Sequence, residues 1–424
     1  MLISFSVANY RSFAAEQCLS LSAGRFRSER VGAVLDTPVK DVPHLLRAAC
    51  LLGANGAGKS NVISALDFLQ DLVANSAQSM QKGDTIEVTP FKLDADLVEE
   101  PSTFEILFFY EGVEYHYNIS VSKKEVISEC LLARSKSKPL REVFSRVKTV
   151  DGIEWNLGSL PKAQAKLWRQ STRDNALFLS TAVQLNSEEL AKPFEWITDR
   201  LRVQTTQDGF SASLTAHLLK DHVEDGCRDA ILNLIKEADL AISDVIVDEM
   251  EFDESNIPED ISDEVRKAIM ARMKDQKFYS SRFVHRTRQK EPTVFELEDE
   301  SEGTQRLFEM AGPWISSLRH DVTLVVDELD RSLHPLLARL LVRMFQDPED
   351  KASKAQLIFS THDLSFLDAG VLERDQVWFV EKRRAGNSEL IPLLEYRPRK
   401  GEAVRQNYLR GRYGGIPAIT GIER

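Results

Sequence analysis

Gly53-Ala54-Asn55-Gly56-Ala57-Gly58-Lys59-Ser60 decides the fold. It fits the GxxxxGK[ST] pattern at every fixed position. Before it lies the apolar run 48–52, and after it Val62, Ile63, Leu66, Leu69 and Val73 recur at helical spacing. Strand, loop, helix is the order a phosphate-binding loop requires. Glycines let the backbone curl so that its N–H groups converge on phosphate oxygens, and the helix N-terminus adds the positive end of its dipole. In that arrangement Lys59 would bridge the β- and γ-phosphates of ATP and the Ser60 hydroxyl would ligate Mg2+. Gly53, Asn55, Gly56, Gly58 and Asn61 complete the nucleotide-binding candidates. The bland alternative, a glycine-rich turn without ligand, is disfavoured by the flanking strand and helix.

Thr323-Leu324-Val325-Val326-Asp327-Glu328 is an apolar strand ending in two carboxylates, roughly 270 residues beyond the loop. Asp327 would hold Mg2+ through its water shell, and Glu328 would orient and polarise the attacking water. Such a strand end is common by itself and becomes specific only when paired with the loop. Short apolar stretches at 324–326, 357–359 and 376–380 alternate with helical patterns such as 335–345, which implies a parallel sheet covered on both faces. Ser360-Thr361-His362-Asp363 directly follows the second of these stretches, and Pro335 suits the first turn of the helix.

The remainder of the chain sets the frame. Its 424 residues suffice for two or three substructures. Usage of 42% hydrophobic and 28% charged residues argues against both wholesale disorder and a membrane protein. No apolar run reaches the roughly 18 residues needed to span a bilayer, and the opening residues lack the basic and apolar regions of a leader, so a cytoplasmic location without membrane contact is expected. Cys18, Cys50, Cys130 and Cys227 form no CxxC pair and read as buried free thiols. The net charge of −12 argues against a surface that coats nucleic acid everywhere, although local basic patches remain.

Strands are expected at 2–7, near 18–21 and at 48–52. Phe104, Ile106, Phe108 and Tyr110, the turn Glu111-Gly112, then Val113, Tyr115, Tyr117, Ile119 and Val121 read as an antiparallel hairpin with one wet face. From about 161 to 290 the signals are mainly helical, clearest at 229–239 and 261–273. The expected division is therefore 1–150 and 291–424 as two halves of one head, with an inserted helical lobe at 151–290. No internal repeat and no sustained heptad run interrupts it.

Taken in this order, the motifs resemble those of ABC-type ATPase heads of the SMC- and RecF-like group. The resemblance implies an α/β fold, an ABC-type P-loop NTPase head with a mixed, mainly parallel sheet, helices on both faces and an antiparallel β subdomain, interrupted by the helical lobe. It also assigns roles. Glu300-Ser301-Glu302-Gly303-Thr304-Gln305-Arg306 resembles the degenerate signature, in which Ser301 and Gly303 would bind the γ-phosphate held by a second subunit; Ser301 equally suits an ordinary N-cap. His362 stands where the switch histidine contacts the γ-phosphate, so Lys59, Glu328 and His362 are the catalytic candidates. Asp330-Arg331-Ser332-Leu333-His334-Pro335 stands where the D-loop crosses the dimer interface. Asn9-Tyr10-Arg11-Ser12-Phe13 resembles the opening of such heads, where the basic residue, here Arg11, approaches the nucleotide; a surface arginine is the alternative. The Q-loop glutamine lacks a diagnostic context, with Gln184 and Gln164 as candidates.

In detail the chain looks like the stand-alone AAA/ABC-like ATPases of bacterial abortive-infection and anti-phage loci, of the RloA or AbiL type. The supporting stretches are 327–335, 372–379 and 407–417. The resemblance implies ATP and Mg2+ as cofactors, a homodimer or higher oligomer formed through the ATP site, and a separately encoded effector. Only 62 residues follow His362, too few for the C-terminal Toprim nuclease domain of OLD-type relatives. A RecF-like repair head clamping duplex DNA is the competing reading, and a transporter ATPase a distant third. Two basic groups bear on nucleic acid: Arg272, Lys274, Lys277, Arg282, Arg286, Arg288 and Lys290, beside an acidic block at 248–264 that is expected to neutralise them, and the less balanced Arg397, Arg399, Lys400, Arg405, Arg410 and Arg412.

Overall fold

The computed structural model describes residues 1–24, 33–39, 41–135, 138–207, 209–221, 226–238, 241–250, 262, 265–267, 270, 277–286, 291–368, 370–399 and 401–416. The chain opens with β1 (Leu2–Ala8), β2 (Gln17–Ser20) and a ribbon of β3 (Val34–Asp36) and β4 (His44–Leu46), then enters β5 (Ala48–Leu52) and α1 (Lys59–Asn75). After the short α2 (Ala95–Glu99) come β6 (Ser102–Tyr110), β7 (Val113–Val121), β8 (Val126–Ser135), β9 (Arg141–Thr149) and β10 (Gly152–Asn156). Helices α3 (Lys162–Ser171), α4 (Phe178–Gln184) and α5 (Glu188–Glu195) lead to β11 (Leu201–Gln204). Next are α6 (Ala212–Asp221), α7 (Cys227–Ala238), β12 (Ile242–Met250), β13 (Phe278–Arg286), β14 (Pro292–Glu296) and α8 (Glu302–Arg319). The last third holds β15 (Thr323–Val326), α9 (Pro335–Gln346), β16 (Gln356–Ser360), β17 (Val377–Lys382), β18 (Ser388–Pro392) and α10 (Val404–Leu409).

Two sheets form the frame. One has the order β11-β15-β16-β5-β17-β18, parallel throughout except for β18. Strands β5, β15 and β16 are buried at every position, the reason each reads as a continuous apolar run. The other sheet is antiparallel, β10-β9-β8-β7-β6-β1-β2. Its β6–β7 hairpin turns at Glu111 and Gly112, whose positive φ values of 45° and 84° suit the tight turn expected there. α1 buries Val62, Ile63, Leu66, Leu69 and Val73, the face its spacing predicts. Each such large aliphatic contributes about 2 kcal/mol on leaving water.

Two buried polar features fasten distant segments. Glu129 of β8 is fully buried; its carboxylate accepts from Tyr117 Oη and from the N–H groups of Phe178 and Leu179, and pairs with Arg146 at 3.0 Å. Gln356, at the start of β16, accepts from the Leu2 N–H and donates to the carbonyls of Leu2 and Leu46. One side chain thereby joins β1, β4 and β16.

The chain divides into two compact units, one of Met1–Asp208, Leu318–Asp330 and Ala338–Arg424, the other of Gly209–Ser317 and Arg331–Leu337. This revises the expected helical lobe at 151–290. Residues 162–204 belong to the first unit, and β11 there completes the edge of the parallel sheet. The second unit has helices, including α7 close to the expected 229–239, but also the antiparallel sheet β12-β13-β14. Strand β12 buries Ile242, Val245 and Val247 between charged neighbours, so its apolar signal is diluted. The helix expected at 261–273 lies largely outside the described residues. In the second unit α6 and α8 approach closely: Thr215 Oγ1 donates to the Phe308 carbonyl and accepts from the Gly312 N–H, and any Cβ at Gly312 would strike Thr215.

Cys50 and Cys227 are buried as expected, whereas Cys18 is exposed and Cys130 half-buried, on the strand faces opposite Leu19 and Leu131. No described helix is long and apolar enough to cross a membrane.

Candidate nucleotide-binding site

The loop 53–58 leaves the end of β5, the strand held between β16 and β17. Gly58 is the residue before α1 and has φ +113°; a Cβ there would meet Ser388 Oγ at 2.5 Å and Ser12 Oγ at 2.8 Å. At Gly53 a Cβ would collide with the Val380 carbonyl oxygen of β17. Gly53 is therefore required by its neighbour, and Gly58 by its neighbours and its backbone conformation alike. Lys59 is 5% exposed, and its Nζ donates to the carbonyls of Gly53 at 2.8 Å and Ala54 at 3.3 Å. Burial lowers the pKa of this ammonium, while Asp327, Glu328, Asp330 and Cys50 pull it back up. Asn55, Gly56 and Ser60 are exposed, with Gly56 at φ +72°.

Strands β15 and β16 bring the other motifs alongside. Asp327, 3% exposed, accepts from Ser360 Oγ at 2.5 Å, and the same hydroxyl accepts from the Glu328 N–H at 2.8 Å. The Leu329 N–H donates to the Ser360 carbonyl. Glu328 has φ +52°, a conformation costly for a residue with a Cβ, and the Ser360 contact holds it there. The His362 N–H donates at 3.3 Å to Asp330, tying the segment after β16 to the one after β15, and His362 is exposed. Mg2+ takes oxygen donors, and an exposed hydroxyl at Ser60 with a fixed carboxylate at Asp327 is a suitable donor set.

Several residues take roles that sequence patterns did not signal. Ser12 Oγ accepts from Asn61 Nδ2 at 2.7 Å, so Asn61 anchors the opening segment. Ser388 Oγ donates to the Ala57 carbonyl, and its N–H to the Ser12 carbonyl. Arg11, with φ +48°, reaches Ser64 Oγ at 2.9 Å, one turn beyond Ser60 on α1, and lies over the Tyr10 ring. Gln204, which ends β11, accepts from the Asp327 N–H through its carbonyl. It stands beside the paired carboxylates, whereas Gln184 and Gln164 are exposed on α4 and α3.

A cleft of about 1050 Å³ is lined by Gly53 to Ala57, Thr361, His362, the β17–β18 turn and the C-terminal segment. Phe379 of β17 lies nearly parallel to Tyr408 and Tyr413, at 5.1 and 5.6 Å. Tyr413 Oη donates to Glu402, Tyr408 Oη to the Gly415 carbonyl, and Gly415 rests against Gly53. The basic group nearby is partly neutralised, with Arg405 paired to Asp368 and Arg412 to Glu402. In the second unit Lys277 pairs with Glu249 and Arg282 with Asp248, while Arg272, Lys274, Arg288 and Lys290 lie outside the described residues.

Ser301 and Gly303, the expected signature residues, lie in the second unit together with Arg331 to Pro335 of the expected D-loop. Ser301 Oγ accepts from the Thr304 N–H at 3.2 Å, the N-cap its residue type predicts. Ser332, at φ +58°, donates through Oγ to Glu302 at 2.5 Å, and a Cβ at Gly303 would meet the Ser332 carbonyl at 3.1 Å. The turn at 301–303 and the segment around Ser332 are thus one connected structure.

No curated protein sequence matches the chain. Among solved structures it is similar to an SMC head bound to the C-winged helix domain of ScpA, at 12% identity over 92% of this chain and 96% of the other, with a TM-score of 0.43. The SMC head domain of Thermotoga maritima gives 12% identity, 92% and 98% coverage and a TM-score of 0.40. RecF, the recombination mediator protein of the RecFOR pathway, solved with ATPrS, gives 10%, 92%, 98% and 0.32. Residues 48–368, from the strand before the phosphate loop to just beyond the switch segment, match a single family model. The chain belongs to that family, described as "AAA domain, putative AbiEii toxin, Type IV TA system".

Proposed function

We propose that the chain binds Mg–ATP at residues 53–60 and hydrolyses it in a site completed by a second copy, and that this nucleotide-dependent association controls a separately encoded effector in anti-phage defence. The observation that carries the reading is Ser360: at the end of β16, the strand beside the one that feeds the phosphate loop, one hydroxyl fixes Asp327 and Glu328 together just beyond β15. Lys59 and the loop N–H groups hold the phosphates, with Asn61 and Arg11 steadying the first turns of α1. Ser60 and Asp327 would hold Mg2+, which would supply charge neutralisation at the phosphates. Glu328 orients water and accepts its proton, and His362 contacts the terminal phosphate. Gln204 at the β11 end is the candidate Q-loop residue. Ser301 and Gly303, presented with the D-loop, close on the nucleotide of the other copy. Family membership supports the ATPase chemistry, and the paired basic residues favour a protein effector over a DNA clamp.

The test uses mass and affinity together. Lys59→Ala is expected to weaken Mg–ATP binding by about 100-fold, the scale of a lost charge-assisted contact in a buried site. Glu328→Gln should bind Mg–ATP normally and accumulate as an ATP-dependent dimer, and adding Ser301→Arg should abolish that dimer. Full hydrolysis by a chain that stays monomeric with Mg–ATP would refute the shared site.

A further inference from the structure

The second unit contains a buried titratable pair that the chemistry above does not use. Nε2 of His285, near the end of β13, lies 2.6 Å from Oε1 of Glu300. Their side chains are 17% and 7% exposed, and the imidazole stands edge-on to Phe295 of β14 at 4.9 Å. Glu300 immediately precedes Ser301. Its backbone is held on both sides, the N–H donating to the Leu297 carbonyl and the carbonyl accepting from Gln305 Nε2 at 2.8 Å. Ser301 continues the pattern: Oγ caps Thr304, and the carbonyl accepts from the Gln305 N–H. A shift of residue 300 therefore moves the whole turn.

We propose that His285 and Glu300 are positioning residues for the signature turn, the imidazole–carboxylate bond setting where Ser301 and Gly303 are offered to the nucleotide of a second copy. The proposal rests on the shared-site reading. A carboxylate this buried needs a donor, and without His285 it turns toward water and draws the start of α8 with it. The far side of the turn is fixed by Ser332 on Glu302, so the small sheet and the D-loop clamp the signature from two sides.

The experiment measures association of full-length chains in the Glu328→Gln background by sedimentation with Mg–ATP. His285→Ala is expected to leave Mg–ATP affinity within about twofold and to weaken ATP-dependent association by about tenfold, the scale of one orphaned buried group. His285→Gln, which can still donate to Glu300, should restore most of it. Mixed with Lys59→Ala chains, whose signature turn is intact, His285→Ala chains should associate again, because their defect lies in the turn they lend rather than the loop they keep. A merely structural defect has no reason to be complemented in this way. Where His285→Ala does not fold, Glu300→Gln keeps the volume and should show the same pattern at about threefold. Unchanged association overturns the proposal. So does a loss that Lys59→Ala chains cannot restore while they do restore Ser301→Arg chains. If Ser301→Arg chains are not restored either, the shared site itself falls, and the proposal with it.

Discussion

Two of the glycine-bearing turns at helix N-termini, 53–58 and 300–303, are built in opposite ways. The phosphate loop is enclosed by its own unit: Gly53 touches β17, Gly58 touches Ser12 and Ser388, and Lys59 is buried. The signature turn is held by side chains instead, with Ser332 on Glu302 and His285 on Glu300, and Ser301 and Glu302 are exposed. A loop that grips a ligand within one chain needs close backbone packing. A turn proposed to meet another molecule needs a fixed base and a free face.

That contrast can be broken by placing the same methyl group in each turn. Gly53→Ala drives a Cβ into the Val380 carbonyl and should destabilise the first unit by about 3 kcal/mol, the upper part of the range for overpacking, with loss of nucleotide binding. Gly303→Ala meets the Ser332 carbonyl at 3.1 Å and should cost under about 1 kcal/mol while impairing association. Thermal melts of both chains decide this; equal destabilisation would erase the distinction. Ser360→Ala sharpens it, since removing the hydroxyl leaves Asp327 and the Glu328 N–H short of a partner. About 2 kcal/mol of stability should go, and hydrolysis should fall more than Mg–ATP binding. Denaturant titration and single-turnover kinetics on one preparation separate the two effects.

The last expected effect concerns the wall behind the phosphate loop. Burial raises the Tyr408 hydroxyl from its ordinary value of 10 to about 12. A folded-state pKa above the unfolded one means that the protonated phenol's contribution is fully present below pH 10 and is lost as pH rises toward 12. Tyr408→Phe should cost about 1 kcal/mol at neutral pH through the lost Gly415 bond. It should also fall less steeply in stability than the parent between pH 10 and 12. An identical alkaline slope in the two chains would place Tyr408 outside the packed wall.

What was legible in advance was local. The phosphate loop, the carboxylate-ended strand and the helix after the loop each declare themselves within a few residues, and β5, β15 and β16 are apolar throughout because both faces are covered. What was hidden depends on residues far apart in sequence. Ser360 looks like part of a histidine motif until Asp327 is beside it, and Ser388 has no signature at all. Strands β12 and β13 were obscured by the charges on their open faces. Tyr408 and Tyr413 follow no period, because they converge on one ring, Phe379, rather than along an element.

Gln356 has a consequence for synthesis on the ribosome. β5 emerges early, yet its sheet neighbours β16 and β17 and the amide that secures Leu2 are translated some 300 residues later. The nascent first half must therefore wait with its central strand unpaired on both edges, exposed to the mispairing that such edges invite. Gly209–Ser317 carries nearly all of the second unit and leaves the exit tunnel as one stretch, free to fold while its host is still incomplete.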